Sequence, residues 1–109
     1  MQSVLVNPNI TVIRPDGSLN SANALEFERQ LTTALTQYEC SVLLLDLEKV
    51  ESMDSAGVLA LVSALKLAQR LGRRLSLCSV PPAIKIIFEL TQLDSLFEIF
   101  ESQSAFILT

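Results

Sequence analysis

A continuous apolar run at residues 42–47, Val-Leu-Leu-Leu-Asp-Leu, is the feature that most constrains the fold of this chain. A run of this kind is typical of a strand that is covered on both faces of its sheet. A second apolar run occupies residues 75–80, and segments with helical spacing lie before, between and after the two runs. Strands that alternate with helices predict crossover connections and a mostly parallel sheet. Because the chain has 109 residues, we expect one domain over residues 1–109.

The first third of the chain predicts a hairpin and a helix. Two short β-branched runs, residues 4–6 and 10–13, flank Asn7-Pro8-Asn9, so we expect an antiparallel pair with Pro8 in its turn. A second turn signal at residues 14–17 precedes Asn20 and Ser21, either of which can cap the first helix. The apolar positions of that helix recur at three and four: Ala24, Phe27, Leu31, Ala34, Leu35 and Tyr38.

The rest of the chain predicts a loop, two more helices and a short ending. Residues 48–53 are expected to form a loop before a second helix, which ends at Gly72, and Pro81 and Pro82 begin a third. A strand at residues 96–100 and a helical turn or two at 102–108 would follow. The predicted fold class is α/β, with a mixed four- to five-stranded sheet and about four helices. The side chains expected to face inward are Val58, Leu61, Val62, Leu65 and Ala68 or Gln69 on the second helix, and Ile84, Ile87, Phe88 and Thr91 on the third.

The composition argues against several classes of function. The chain has no His, which excludes Ser-His and Cys-His catalytic pairs and His-ligated metal sites. Its net charge of −4 argues against a nucleic-acid partner, and no Gly-rich phosphate loop is present. Cys40 and Cys78 lie in no metal or redox spacing and are expected to be buried free thiols. We therefore expect no enzymatic activity, metal or cofactor.

Two further expectations concern location and charge. We find no signal peptide, and no apolar run approaches the roughly 20 residues of a membrane span, so we expect a cytoplasmic protein. Five of the eight basic residues fall within one stretch, which indicates either a patch for an acidic partner or membrane surface, or a solvated helix end that complements the helix dipole. They are Lys66, Arg70, Arg73, Arg74 and Lys85.

The segment Met53-Asp54-Ser55-Ala56-Gly57 is the place where function is expected to reside. Asp54 and Ser55 are typical residues for the start of a helix, and capping alone would account for them. A phosphoryl group on Ser55 would also be tolerated there, because a helix N-terminus favours negative charge.

The segment LLLDLEKVESMDSAG, at residues 43–57, resembles the central strand, loop and switch motif of the STAS domain, the fold of bacterial anti-sigma factor antagonists. Gly17-Ser18-Leu19-Asn20 resembles the turn that precedes the first helix of that family, although Asn20 stands where such antagonists often have Asp. The strand and Pro-containing turn at residues 75–82 and the segments 87–91 and 96–97 extend the resemblance over nearly the whole chain.

This resemblance implies a regulatory switch. A serine protein kinase that is also the anti-sigma factor would bind the unphosphorylated domain and phosphorylate Ser55, and a metal-dependent serine phosphatase would reset it. The residues that we expect to bind the partner are Asn20, Met53, Asp54, Ser55, Ala56 and Gly57, with burial in the core as the default interpretation of Met53. Two alternatives stay open: an unphosphorylated STAS adaptor subunit of a transporter or signalling complex, and a sensor of a small ligand such as a nucleotide or lipid.

Overall fold

The computed structural model describes residues 2–7, 10–37 and 42–107. Within these ranges, seven strands and four helices follow one another along the chain. The strands are β1 (Gln2–Asn7), β2 (Ile10–Arg14), β3 (Gly17–Leu19), β4 (Val42–Asp46), β5 (Val50–Met53), β6 (Arg74–Cys78) and β7 (Glu98–Phe100). The helices are α1 (Ala24–Gln37), α2 (Ser55–Arg70), α3 (Pro82–Leu90) and α4 (Gln103–Ile107), with a 3-10 turn at Leu93–Ser95.

Five of these strands form one mixed sheet in the order β1-β2-β4-β6-β7. β1 and β2 are antiparallel, and every other neighbouring pair is parallel. The continuous apolar run forms the central strand β4, where both faces of the sheet are covered. The predicted hairpin and the α/β class with a mixed sheet are therefore confirmed, while the predicted turn at Pro8 lies outside the described residues.

The main core lies on the sheet face covered by α1, α2 and α3. Alternate residues of β4 and β6 point to this face, because side chains alternate along a strand. The strand residues in this core are Ile13, Leu43, Leu45, Leu75 and Leu77, and the helices contribute Phe27, Leu31, Leu35, Leu61, Ile84 and Phe88 among others.

The opposite sheet face is covered by the short helix α4. Phe106 of α4 packs against Val12, Leu44 and Cys78, and all four residues are buried. Gln103 Nε2 donates to Asp46 Oδ2 at 2.7 Å, which ties α4 to the end of β4. Cys78 is a buried free thiol, as predicted, whereas Cys40 lies outside the described residues.

The predicted loop at residues 48–53 is wrong in its second half. Val50–Met53 forms β5, which pairs in parallel with β3 in a separate two-stranded sheet. Val50 and Met53 are buried while the two residues between them are exposed, so the segment lacks the alternation that predicts a strand. Its hydrogen-bonding partner lies more than thirty residues earlier in the chain, where local sequence signals do not reach.

The predicted inward stripe of α2 is confirmed at Leu61 and Ala68 and is otherwise rotated from the observed one. The helix buries Gly57, Ala60, Leu61, Ala64 and Ala68, most of which are small. The larger Val58, Val62 and Leu65 pack along the edges of the core, and Gln69 is exposed. Small residues allow a close approach of α2 to α1 and to the strands beside it, and this tertiary fit determines which face is buried.

The first helix begins later than predicted. Asn20 does not cap α1 directly, since its side-chain oxygen accepts from the Ala22 N–H at 2.9 Å and its carbonyl accepts from the Ala24 N–H at 2.7 Å. Asn20 therefore stabilises a turn at residues 20–23, and α1 starts at Ala24. Tyr38, predicted to continue the buried stripe of α1, lies outside the described residues.

The predicted end of α2 and the predicted start of α3 are both confirmed, whereas one predicted inward residue of α3 is not. Gly72 adopts φ +67° and follows the last residues of α2, and the Arg73 N–H reaches back to the Ala68 carbonyl at 2.8 Å, which confirms the predicted glycine stop. α3 begins at Pro82 as expected and buries Ile84 and Phe88. The inward position predicted for Thr91 is wrong, because Thr91 is exposed and its hydroxyl donates to the Ile87 carbonyl at 2.7 Å.

The predicted last strand and last helix both form, and each begins later than predicted. The 3-10 turn takes up the residues before position 96, and β7 forms over Glu98–Phe100. α4 begins at Gln103, and Leu108, the predicted end of the last helix, lies outside the described residues.

Candidate docking and modification site at the start of helix α2

Asp54 caps helix α2 as the sequence predicts. Its backbone is extended, with φ −98° and ψ −172°, and its Oδ1 accepts from the N–H groups of Ala56 at 2.9 Å and Gly57 at 3.2 Å. Two backbone donors that the helix leaves without a partner are thereby satisfied. A side-chain cap of this kind stabilises a helix by about 1 kcal/mol.

Ser55 is the first residue of α2 and is exposed. The structure gives its hydroxyl no hydrogen-bond partner among the described residues, so Oγ is available to an incoming group. The N-terminal end of the helix carries a partial positive charge, which favours an anionic group at this position by about 0.3–1 kcal/mol. The predicted phosphoacceptor therefore lies on the surface, at a helix end that favours negative charge.

Gly57 allows the start of α2 to lie close to β3, because it has no side chain. A Cβ atom at this position would lie 2.8 Å from the Leu19 carbonyl oxygen and 2.8 Å from Met53 Cγ. Both distances are shorter than real Cβ contacts, and one of them involves backbone. Residue 57 must therefore be glycine if α2 is to start where it does.

The residues predicted to bind a partner fall into two groups. Asp54 and Ser55 are exposed and Ala56 is half-buried, so these three can contact another protein. Gly57 is buried, and Met53 is 5% exposed and belongs to the main core. The core interpretation of Met53 is the one that the structure supports, and both buried residues position the site from beneath.

Asn20 is brought to the same edge by the pairing of β3 with β5. Leu19 is the register partner of Met53, and the Leu19 carbonyl accepts from the Asp54 N–H at 3.0 Å. Asn20 and Asp54 directly follow the two strands, at the carboxyl ends where crossover folds present their sites. The two segments singled out from the sequence, residues 17–20 and 53–57, therefore form one edge of the molecule.

Sequence reasoning missed two features of this edge. Leu59, one helical turn after Ser55, is 65% exposed, and Ser18 and Ser52 form a hydrogen bond between their hydroxyl groups at 2.8 Å across β3 and β5. The first could have been found from the four-residue spacing of Ser55 and Leu59, which places both on one helix face. The second depends on the strand pairing that the sequence did not predict.

Cys78 lies at the carboxyl end of β6 and does not take part in the site. Burial, together with the negative charge of Asp46, raises the pKa of the Cys78 thiol to about 11. The thiol is therefore protonated at neutral pH, a form that is a poor nucleophile.

The comparisons with known proteins agree with the fold described above. The family model of the STAS domain matches residues 2–105. The chain belongs to the STAS domain family.

Several relatives resemble this STAS domain over most of its length. BtrV of Bordetella bronchiseptica, a candidate anti-sigma factor antagonist, is 30% identical over 89 residues, which cover 82% of this chain and 76% of BtrV. The anti-sigma F factor antagonist of Paenibacillus polymyxa is 21% identical over 86% of this chain and 80% of its own length.

Solved structures share the fold. The anti-sigma factor antagonist SpoIIAA in its unphosphorylated form superimposes with a TM-score of 0.82 at 21% identity, covering 97% of this chain and 91% of SpoIIAA. The phosphorylated form of SpoIIAA from Bacillus gives a TM-score of 0.76 at the same identity, with 97% and 95% covered. In addition, none of the helices in the described ranges of this chain is both long enough and apolar enough to cross a bilayer.

Proposed function

We propose that this STAS domain is a non-enzymatic anti-sigma factor antagonist whose binding to a serine-kinase anti-sigma factor is controlled by phosphorylation of Ser55. The observation that carries the proposal is the exposed Ser55 hydroxyl at the first position of a helix capped by Asp54. Two relatives named as antagonists, and the existence of SpoIIAA in unphosphorylated and phosphorylated forms, support it.

The chemical step would be carried out by the kinase and its ATP. Ser55 Oγ attacks the γ-phosphorus of ATP, the bond from that phosphorus to the bridging oxygen breaks, and ADP leaves. The hydroxyl proton passes to a base on the kinase. A metal-dependent phosphatase would restore the hydroxyl by hydrolysis, in which water supplies the new oxygen of inorganic phosphate.

The effect of the modification would be exclusion of the partner. A phosphoryl group adds about −1.5 to −2 charges at neutral pH. Beside the exposed Asp54, this charge creates a strongly anionic spot on the docking face, and its desolvation against a partner is costly. The helix start tolerates the same charge, so we expect the fold to persist while the complex dissociates.

The test combines modification with binding. The full chain is incubated with ATP and the purified serine-kinase anti-sigma factor from the same cells, and the product is mapped by mass spectrometry. We expect one added phosphoryl group on Ser55, none in Ser55→Ala, and normal modification of Ser52→Ala, an exposed serine three residues away that serves as the matched control.

Binding is then measured for the two Ser55 variants. Ser55→Asp should weaken the complex at least about tenfold, a change of roughly 1.4 kcal/mol, and Ser55→Ala should bind whether or not ATP is present. If both variants bound this kinase like the wild type, the switch would be wrong. An unmodified Ser55 in a complex that nonetheless forms would favour the adaptor alternative.

A further inference from the structure

The outer face of α2 carries a continuous exposed stripe that begins at Ser55. Its members are separated by four, four, three and four residues, so at about 3.6 residues per turn they lie within one narrow sector of the helix. The opposite sector contains the buried Ala60, Ala64 and Ala68. With a rise of about 1.5 Å per residue, the stripe extends about 22 Å from end to end. Its residues are Ser55, Leu59, Ser63, Lys66 and Arg70, all of them exposed.

The far half of this stripe is positively charged. α2 contains no acidic residue, although the chain as a whole has a net charge of −4. Lys66 and Arg70 form no ion pair with any residue that the structure describes. Together with Ser63 and Gln69 they line a shallow groove on the helix surface.

Stabilisation of the helix end accounts for part of this charge. The dipole effect falls off within the last turn, so it favours Arg70 more than Lys66. The end of α2 is moreover already satisfied by the backbone hydrogen bonds of Gly72 and Arg73. The pair of cations therefore exceeds what the helix itself requires.

We propose that the groove of Lys66 and Arg70 binds an acidic segment of the same kinase that docks at Ser55. This proposal rests on the proposed function and names a second contact for that partner. Charge complementarity selects an acidic segment, and the exposed Leu59 lies between the two contacts as an apolar link on one face. A single helix face of about 22 Å fits within a standard interface of about 800 Å² per partner.

The groove lies far enough from Ser55 along α2 to act independently of the switch. Ser55 and Lys66 are eleven residues apart, or about 16 Å along the helix, which exceeds the screening length of about 8 Å at physiological salt. A phosphoryl group on Ser55 would therefore leave the groove largely unchanged. We expect the groove to speed association of both forms, while Ser55 determines the ratio of their affinities.

The experiment measures association of the full chain with the purified kinase at low and high salt. Lys66→Glu/Arg70→Glu should slow association about tenfold at low salt, with a difference of less than about twofold at high salt. The neutral variant Lys66→Gln/Arg70→Gln should fall between. For the matched control, Lys66→Glu is compared with Lys85→Glu, an exposed lysine on α3, which should stay within about twofold of wild type.

The outcomes distinguish this proposal from the proposed function. If the charge-reversed chain associated like wild type at low salt while Ser55→Asp still weakened the complex, the groove assignment would fall and the switch would stand. If the wild-type chain did not bind the kinase at all, the proposed function itself would fall. If Lys66→Glu/Arg70→Glu lost the binding of the wild-type chain to vesicles of anionic phospholipid while its association with the kinase was unchanged, the proposal would be overturned. The face would then be assigned to a membrane.

Discussion

Helices α2 and α3 both begin after a strand, but their starts are built in different ways. At α2, Asp54 accepts two backbone N–H groups and leaves the hydroxyl of Ser55 exposed. At α3, Pro81 provides no side-chain hydrogen bond, and Pro82 occupies the first helical position. Proline has its φ angle preset and no N–H to satisfy, so this helix starts without a polar cap.

The difference shows how a helix start becomes suited to regulation. The proline start of α3 restricts the unfolded chain and presents no group that can be modified. The start of α2 is held instead by a side chain and by a close contact with β3, both of which leave the first residue facing solvent. Stability at α2 is therefore supplied by neighbours of Ser55, and Ser55 itself is available for function.

Among the substitutions that test this comparison, Gly57→Ala is expected to have the largest effect on the free energy of unfolding. The new Cβ would lie 2.8 Å from the backbone oxygen of Leu19, so α2 or β3 must shift. We expect a loss of about 2–3 kcal/mol in the free energy of unfolding, as for other overpacked sites. Denaturant titration would measure it.

Gly72→Ala provides the control for that substitution. Gly72 adopts φ +67°, a left-handed conformation that L side chains rarely adopt, but nothing lies within 4 Å of a Cβ placed there. The cost at Gly72 is therefore backbone strain alone, about 1–2 kcal/mol. A smaller loss at Gly57 than at Gly72 would contradict the close contact that holds the α2 start.

An intermediate effect is expected from removal of the Asp54 cap. Asp54→Ala should lower the free energy of unfolding by about 1 kcal/mol, and Asp54→Asn should retain most of it, because Asn caps equally well. Pro81→Ala, at the corresponding position of α3, should cost about 0.5 kcal/mol through the unfolded chain. Equal losses for Asp54→Ala and Asp54→Asn would show that the hydrogen bonds to Ala56 and Gly57 do not provide the stabilisation.

The sequence predicts those features of this edge that depend on neighbouring residues, and it misses those that depend on residues distant in the chain. The cap at Asp54, the exposed Ser55 and the proline start of α3 depend on neighbouring residues, and all three were predictable from them. β5 was not, since its stability comes from pairing with β3 and from two buried side chains, Val50 and Met53. The inward face of α2 was misjudged in part for the same reason, because close packing against α1 and β3 favours glycine and alanine over larger apolar residues along most of this face.

The smallest effect on stability is expected from Ser55→Glu, and it tests the division between fold and function most directly. The added carboxylate gains from the helix dipole and is opposed by the neighbouring Asp54, so the free energy of unfolding should change by less than about 0.5 kcal/mol. Ala83→Glu, in the first turn of α3 and exposed, is the matched control, and its change should be of similar size without any effect on kinase binding. A loss of more than about 1 kcal/mol at Ser55 would mean that charge disrupts the helix start. The switch would then act by local unfolding, and the two helix starts would differ in strength rather than in what they present to a partner.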